Sequence, residues 1–347
     1  MSSTHPRRPR LRRAVGVATA VAALAATVSA TAQAKPVTQP TDPGPLYSSL
    51  DSADSRLFLQ TLGRPDGQDM VYRISGKVMN QVRGNAYGAA LAHGKTLFGF
   101  EGYNIRRLYR VPGTDDLYQL SREIVFYTDP VTGERLTQWT NPLDGRTRPL
   151  PPIANEHVNA HYRIKDGKLY TVAGTAEIPL GKAVAPLHIH DKLEWTSDVA
   201  PLYSLAQRYG IPEGFGLVNN TYATWEMFDF YVDQDEARKR ETKDIPKGAM
   251  EIVNSWTRTA PYIPAMCIPE NSSQGSLVYH ARSWSLDSFD ELDPWIKTVV
   301  KADYPLFTQA PQSVDPTPND TTWTSFYGKE LKPQGLTWQQ WCDSAGS

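Results

Sequence analysis

At 347 residues, with 36 basic and 37 acidic side chains, the chain is long enough to bury a sizeable core and has a formal charge of −1 at pH 7. Its first 34 residues hold five arginines and no acid, so the remainder has 31 basic against 37 acidic residues and a charge of −6. An acidic balance argues against partners recognised through a basic surface, nucleic acid and anionic membranes among them.

Residues 1–34 read as a signal peptide. Arg7, Arg8, Arg10, Arg12 and Arg13 form a basic opening, an alanine- and valine-rich core runs from Ala14 to Ala26, and Ala32-Gln33-Ala34 is a small-residue cleavage signal. The apolar core is shorter than the roughly 20 residues a membrane span needs, and no later run approaches that length. The chain is therefore expected to be secreted or extracytoplasmic, without a membrane span and cleaved after Ala34. Its paired arginines fit twin-arginine export as well as the general secretory route.

Residues 35–47, rich in Pro, Thr and Gln, read as a disordered leader, and 48–347 as a single domain. Ser48 to Leu62 reads as a helix with Leu57, Phe58, Thr61 and Leu62 in its apolar positions and Gly63 as its stop. From Met70 to Trp139 the texture is that of short strands. Tyr118, Leu120, Ile124 and Phe126 share one strand face, interrupted by Arg122. Asp129-Pro130-Val131-Thr132-Gly133 follows as a turn and Glu134 to Trp139 as the partner strand.

His161 to Val172 reads as a hairpin with Lys165-Asp166-Gly167 at its tip. Leu187–Trp195, Tyr222–Val232, Ile252–Thr259 and Leu277–Trp284 read as further strands, and the charged run Asp233–Lys247 as a loop or short helix. Leu292, Trp295, Ile296, Val299 and Val300 recur at helical spacing within Ser288–Lys301, where Pro294 is tolerable in the first turn. Thr337-Trp338-Gln339-Gln340 matches a capping box and predicts a terminal helix. With no βαβ alternation, the expected fold is mainly β: an antiparallel, β-barrel-like single domain with peripheral and C-terminal helices.

Only two cysteines occur, Cys267 and Cys342. Paired, they would close a loop worth roughly 4 kcal/mol on the chain-entropy view. Two unpaired buried cysteines fit equally well, and two isolated cysteines lack the spacing of a zinc site.

The chain has no glycine-rich phosphate loop, dinucleotide fingerprint, Gly-x-Ser-x-Gly elbow or His-Glu-x-x-His helix, which disfavours nucleotide cofactors and the common serine-hydrolase plan. Histidines and carboxylates on strands remain. His188 and His190, in Pro186–Trp195, would share a face if both lay on one strand. With His157 and His161 they make four imidazoles, a set that can bind zinc, copper or iron, transfer protons or simply hydrogen-bond. Glu226 shares strand parity with Tyr222, Thr224, Phe228 and Phe230. Burial among those aromatics would raise its pKa and suit it to acid/base work, whereas pairing with an arginine such as Arg258 would make it structural. Arg258 can hold an anionic substrate group or that glutamate. His280, between apolar neighbours, reads as a satisfied core residue.

Nine Trp and 17 Tyr supply an aromatic lining for a cavity. The expectation is a secreted enzyme acting on a small aromatic or terpenoid-like molecule by general acid/base chemistry of lyase, isomerase or hydrolase type. His161, His188, His190 and Glu226 would move protons; Arg258, Tyr222, Trp256 and Phe228 would hold the substrate; no cofactor is expected. The alternatives are a non-catalytic small-ligand carrier of the same fold and a metal-dependent enzyme using His157, His161, His188 and His190.

Several stretches together resemble the bacterial and fungal family catalogued as domain of unknown function 1838. They are Tyr127-Thr128-Asp129-Pro130-Val131-Thr132-Gly133-Glu134, Ser255-Trp256-Thr257-Arg258-Thr259-Ala260-Pro261-Tyr262-Ile263-Pro264, Gly275-Ser276-Leu277-Val278-Tyr279-His280, Tyr304-Pro305 with Ala310-Pro311, and Thr322-Trp323-Thr324-Ser325-Phe326. In order they span about Ser52 to Lys329. The resemblance implies a β-rich, barrel-like fold and frequent export, and supplies no reaction. The charged run Asp233–Lys247 and the His-Ile-His segment are less typical of that family.

Overall fold

The computed structural model describes residues 42–81, 94–180, 185–189, 192–199, 202–212, 214–270 and 275–344, with 185–199 described by backbone alone. The signal-peptide segment lies outside these residues. In chain order the strands are β1 (Met70–Gln81), β2 (Thr96–Arg110), β3 (Asp116–Thr128), β4 (Gln138–Thr140), β5 (Thr147–Pro149), β6 (Ile153–Asn155), β7 (Ala160–Lys165) and β8 (Lys168–Ala173). They continue as β9 (Ala176–Pro179), β10 (Ala185–Ile189), β11 (Lys192–Val199), β12 (Leu202–Ser204), β13 (Thr221–Ala223), β14 (Trp225–Asp233), β15 (Ile252–Ala260) and β16 (Ser276–Leu286). The helices are α1 (Gly44–Ser49), α2 (Ala53–Leu62), α3 (Leu205–Tyr209), α4 (Gln234–Arg240), α5 (Pro294–Asp303), α6 (Thr322–Phe326) and α7 (Trp338–Ser344).

Twelve strands form one antiparallel sheet in the order β10-β11-β14-β15-β16-β1-β2-β3-β7-β8-β9, with β6 also on β3. The fold is mainly β, as expected, but no closed barrel is found: the order has two ends, β10 and β9, and no pairing joins them among the described residues. The sheet is nevertheless strongly concave on one face. Tyr72 of β1 meets Phe230 of β14 at 6.4 Å between ring centroids, and Phe100 of β2 meets Trp256 of β15 at 6.1 Å. Each pair skips two intervening strands, a span of about 14 Å on a flat sheet. Gly102 on this face has no room for a side chain, since a Cβ there would lie 2.2 Å from the Ile124 carbonyl oxygen, and a glycine inside a strand suits such close backbone approach.

The concave face is plugged by apolar residues at both ends. At one, Leu46, Tyr47, Leu57, Phe58 and Leu62 of α1 and α2 pack on Met70, Tyr72, Leu108 and Tyr162. At the other, Trp323, Phe326, Trp338 and Trp341 of α6 and α7 pack with Phe98, Phe100, Tyr127 and Tyr279. The convex face is covered by Ile296 and Val300 of α5 over Val71, Tyr103, Ile105, Ile124 and Phe126.

Several local expectations change. The leader was expected to run to residue 47, yet α1 begins at Gly44, because Leu46 and Tyr47 bury against the helical plug. The helix expected over Ser48–Leu62 is interrupted: Leu50 is extended and Ser52 starts a new helix by accepting the Ser55 N–H. Glu134–Trp139 does not form a full partner strand, contributing an isolated Thr128–Arg135 bridge and the start of the short β4–β5 hairpin. The turn before it forms through Asp129, whose carboxylate accepts the Val131 and Thr132 N–H groups at 2.8 Å each.

The stretch read as one strand over Leu187–Trp195 is two, β10 and β11, paired antiparallel with Ile189 opposite Lys192. The shared face expected for His188 and His190 falls on His190, which lies outside the described residues. The capping box forms as read: the Thr337 hydroxyl accepts the Gln340 N–H at 3.2 Å, and the Gln340 side-chain Oε1 accepts the Thr337 N–H at 2.8 Å. Cys267 and Cys342 are disulfide-bonded, tying α7 to the turn after β15.

Candidate functional site: a polar layer on the concave face

Between its two apolar ends the concave face turns polar. Asn104 and Arg106 project there from β2, Ser121 and Glu123 from β3, Glu226 from β14, Asn254 and Arg258 from β15, and Ser283 from β16, each in strand parity with the buried apolar residues of that face. Alternation alone puts them there.

Glu226 and Arg258 stand opposite one another in the β14–β15 register. The Arg258 Nε lies 3.5 Å from the Glu226 Oε1 and donates to the Thr224 hydroxyl at 3.3 Å. Its Nη2 donates to the Tyr222 hydroxyl. The guanidinium carbon is 5.5 Å from the Tyr279 ring centroid and 6.0 Å from that of Trp323, within cation–π range. The second Glu226 oxygen accepts the Trp256 indole N–H at 3.1 Å. Phe228 then stacks on Trp256 with centroids 6.4 Å apart. Glu226, Arg258, Tyr222, Trp256 and Phe228, five residues expected from the sequence at one site, are thus in one cluster.

Glu123 was not singled out, and the curl of the sheet brings it within electrostatic reach of this cluster. On a flat sheet, five strand steps from β3 to β14 would separate Glu123 from Glu226 by about 24 Å. Here burial pushes the Glu123 carboxyl up from 4.5 to about 7; the Glu226 charge adds to the rise, while Arg258 and Arg106 oppose it. The Glu123 carboxylate makes no hydrogen bond or ion pair among the described residues and keeps partial exposure. The phenols nearby are held neutral: burial raises Tyr279 to about 12, and Tyr127 rises through burial and then through its neighbour Tyr279.

A signal for Glu123 existed in the sequence. Ile124 and Phe126 on one parity and Val125 and Tyr127 on the other mark a strand buried on both faces, where any carboxylate stands out.

His157 and His161 lie apart from this cluster. His161 lies opposite Tyr118 in the β3–β7 pairing, stacks on its ring at 4.2 Å, and places its Nε2 3.1 Å from the Asp116 carboxylate. Tyr118 and Asp116 have the parity of the convex face, so His161 is separated from Glu226 by the sheet. His157 contacts the Pro318 carbonyl at 2.9 Å and the Thr317 hydroxyl at 3.0 Å, with Asp320 at 3.6 Å. His188 occupies the register position opposite Leu193, itself opposite Val232, and His190 lies outside the described residues. Among the described residues no group of three or more His, Cys, Asp or Glu side chains is placed to hold a metal ion. His280 is exposed, with Nδ1 3.2 Å from the Thr257 hydroxyl, rather than buried in the core.

Among the described residues no helix is long and apolar enough to cross a membrane. No curated protein matches the chain. The family model described as "Protein of unknown function (DUF1838)" matches residues 67–330. That range takes in β1 through β16 and every residue of the polar layer, and the chain belongs to this family.

Proposed function

We propose that this is an exported enzyme that transfers a proton on a small, flat, largely apolar molecule held against the concave face, with the curled sheet serving as a barrel-like cavity. Glu123 is the acid/base. The Glu226–Arg258 pair, braced by Trp256, Tyr222 and Thr224, supplies a fixed charge facing it. The aromatic edges of Trp256, Phe228 and Phe230 form the seat. Export rests on the arginine-rich leader, and the disulfide suits an oxidising compartment.

One observation carries the reading. Glu123 is an inward-facing carboxylate with no hydrogen bond or ion pair among the described residues, within electrostatic reach of a second carboxylate already engaged by its own arginine. A carboxylate poised near neutral pH is suited to both giving and taking a proton, and two carboxylates in unlike environments divide the roles of proton carrier and fixed charge. Phe228, Phe230 and Trp256 keep partial exposure despite facing inward, which supports a face that is not filled by the protein itself.

The test is hydrogen–deuterium exchange at carbon in D2O, followed by NMR across a panel of aromatic and terpenoid ketones, esters and lactones. The wild-type protein should catalyse exchange or elimination on a subset, and Glu123→Gln should reduce that rate by about 100-fold or more. Equal rates for the two proteins would overturn the assignment. Panel members that bind without reacting would favour a carrier, a reading supported by the engagement of Glu226 with Trp256 and Arg258.

A further inference from the structure

We infer that Arg106 is the docking point for a ligand carboxylate, so that the molecule held on the concave face is a small organic acid with a flat apolar body. This deepens the proposed function and rests on its placement of the ligand on that face.

Arg106 lies on β2 two residues beyond Asn104, and Asn104 is opposite Glu123 in the β2–β3 register. Its guanidinium is fixed on one side only. The Nε donates to the Asn104 side-chain oxygen at 2.8 Å, and Nη1 donates to the Thr61 carbonyl near the end of α2 at 3.2 Å. The guanidinium carbon sits 4.4 Å from the Tyr72 ring centroid. Among the described residues no carboxylate comes within ion-pair distance, and Nη2 has no hydrogen-bond partner.

An arginine drawn out of water is costly unless its charge is matched. Among the described residues several such arginines are matched, although Arg122 on the convex face bonds the Gln309 carbonyl with no ion pair. Arg73 has Glu101 and Asp293, Arg148 has Asp144, and Arg258 has Glu226. Arg56 also lacks a carboxylate, but it is sealed under α1 and bonded to the Leu50 and Glu241 carbonyls. Arg106 differs in keeping partial exposure on the concave face, and a guanidinium presenting a free edge is suited to a planar carboxylate.

The surroundings set the ligand's shape and charge. Tyr72 lies under Arg106 and meets Phe230, while Phe228 and Trp256 continue the aromatic wall towards Glu226. Among the residues whose side chains are described, the charged strand residues on this face are Arg106, Arg258, Glu226 and Glu123. Glu226 answers Arg258, so with Glu123 protonated the face carries one unmatched positive charge. A ligand carboxylate on Arg106 balances it.

The experiment compares cinnamate and 2-naphthoate with their uncharged amides, measured by calorimetry and ligand-observed NMR on the full mature chain. In the wild type the carboxylates should bind at least tenfold more tightly than the amides. Arg106→Gln should erase that preference, and Arg106→Lys, which retains the charge and guards against loss of the fold, should keep part of it. Glu123→Gln should preserve it. Amides binding as well as carboxylates, an unchanged preference in Arg106→Gln, or no carboxylate preference anywhere in the panel would each overturn the inference. The two proposals fail separately. Full proton-exchange activity in Glu123→Gln, with the carboxylate preference intact, removes the acid/base role and leaves Arg106 standing.

Discussion

Glu226 on β14 and Arg258 on β15 occupy directly opposed register positions on the concave face, where Arg258 is 8% exposed. Opposite charges across a strand pair contribute little when solvated, but removing one partner from a buried pair leaves the other uncompensated. Arg258→Met is therefore expected to lower stability by about 3 kcal/mol, because it strands Glu226 and deletes the bonds to Tyr222 and Thr224. Glu226→Gln, which keeps an acceptor for Trp256, should cost about 1 kcal/mol. Urea denaturation of both single variants and of the double variant should show marked non-additivity.

Glu123 makes stability depend on pH. Its folded-state value of about 7 lies above the ordinary 4.5. Between these two values the folded state holds a proton that the unfolded state has released, so raising the pH through this window favours unfolding. The contribution is fully present below about 4.5 and lost as pH rises through about 7. The charged groups facing it are Glu226, Arg258 and Arg106. The urea midpoint of the wild type should accordingly fall from pH 5 to pH 8, and Glu123→Gln should flatten that slope; parallel profiles would refute the assignment.

Cys267 and Cys342 staple α7 across a sequence separation of 75 residues. Loops of that length stabilise by roughly 4 kcal/mol on the chain-entropy account. Cys342→Ser, or reduction of the wild type, should reduce stability by about 2–5 kcal/mol and loosen the packing of Trp338 and Trp341. Thermal melts with and without reductant, read by tryptophan fluorescence, test this.

His161→Ala should leave ligand binding and proton exchange unchanged, because its stack on Tyr118 and its contact with Asp116 lie across the sheet from Glu226. A loss of about 1 kcal/mol in stability is expected from the missing contacts. A fall in turnover at unchanged stability would return His161 to the site.

Trp323 is fully buried against Tyr222, with ring centroids 4.8 Å apart, and Trp225 is 37% exposed. Trp323→Ala should cost about 3–5 kcal/mol, within the range for emptying an aromatic core position, while Trp225→Ala should stay within about 0.5 kcal/mol. Chemical denaturation of the two variants distinguishes them directly.

Strand alternation was the most readable part of this chain. Tyr222, Thr224, Glu226 and Phe228 on one segment, and Trp256 with Arg258 on another, could be grouped before any fold was known because a period of two is a property of the extended backbone itself. The rule says nothing of His188 and His190 together, because His190 lies outside the described residues, whereas Leu187–Trp195 as a whole proved to be two paired strands rather than one. The terminal capping box was legible for a similar reason, since Thr337 and Gln340 satisfy one another within a single turn.

By itself the sequence determined the β-rich class, the family, the parity of Glu226 and Arg258, and the single pair of cysteines available for a disulfide. These depend on residues near one another in the chain or on composition. The tertiary structure alone decided that Cys267 and Cys342 bond, that His161 faces away, and that Glu123 and Arg106 belong to the same face as Glu226. Those relations join segments separated by tens to about a hundred residues, and they follow from how far a twelve-stranded sheet curls, which no local pattern of side chains encodes.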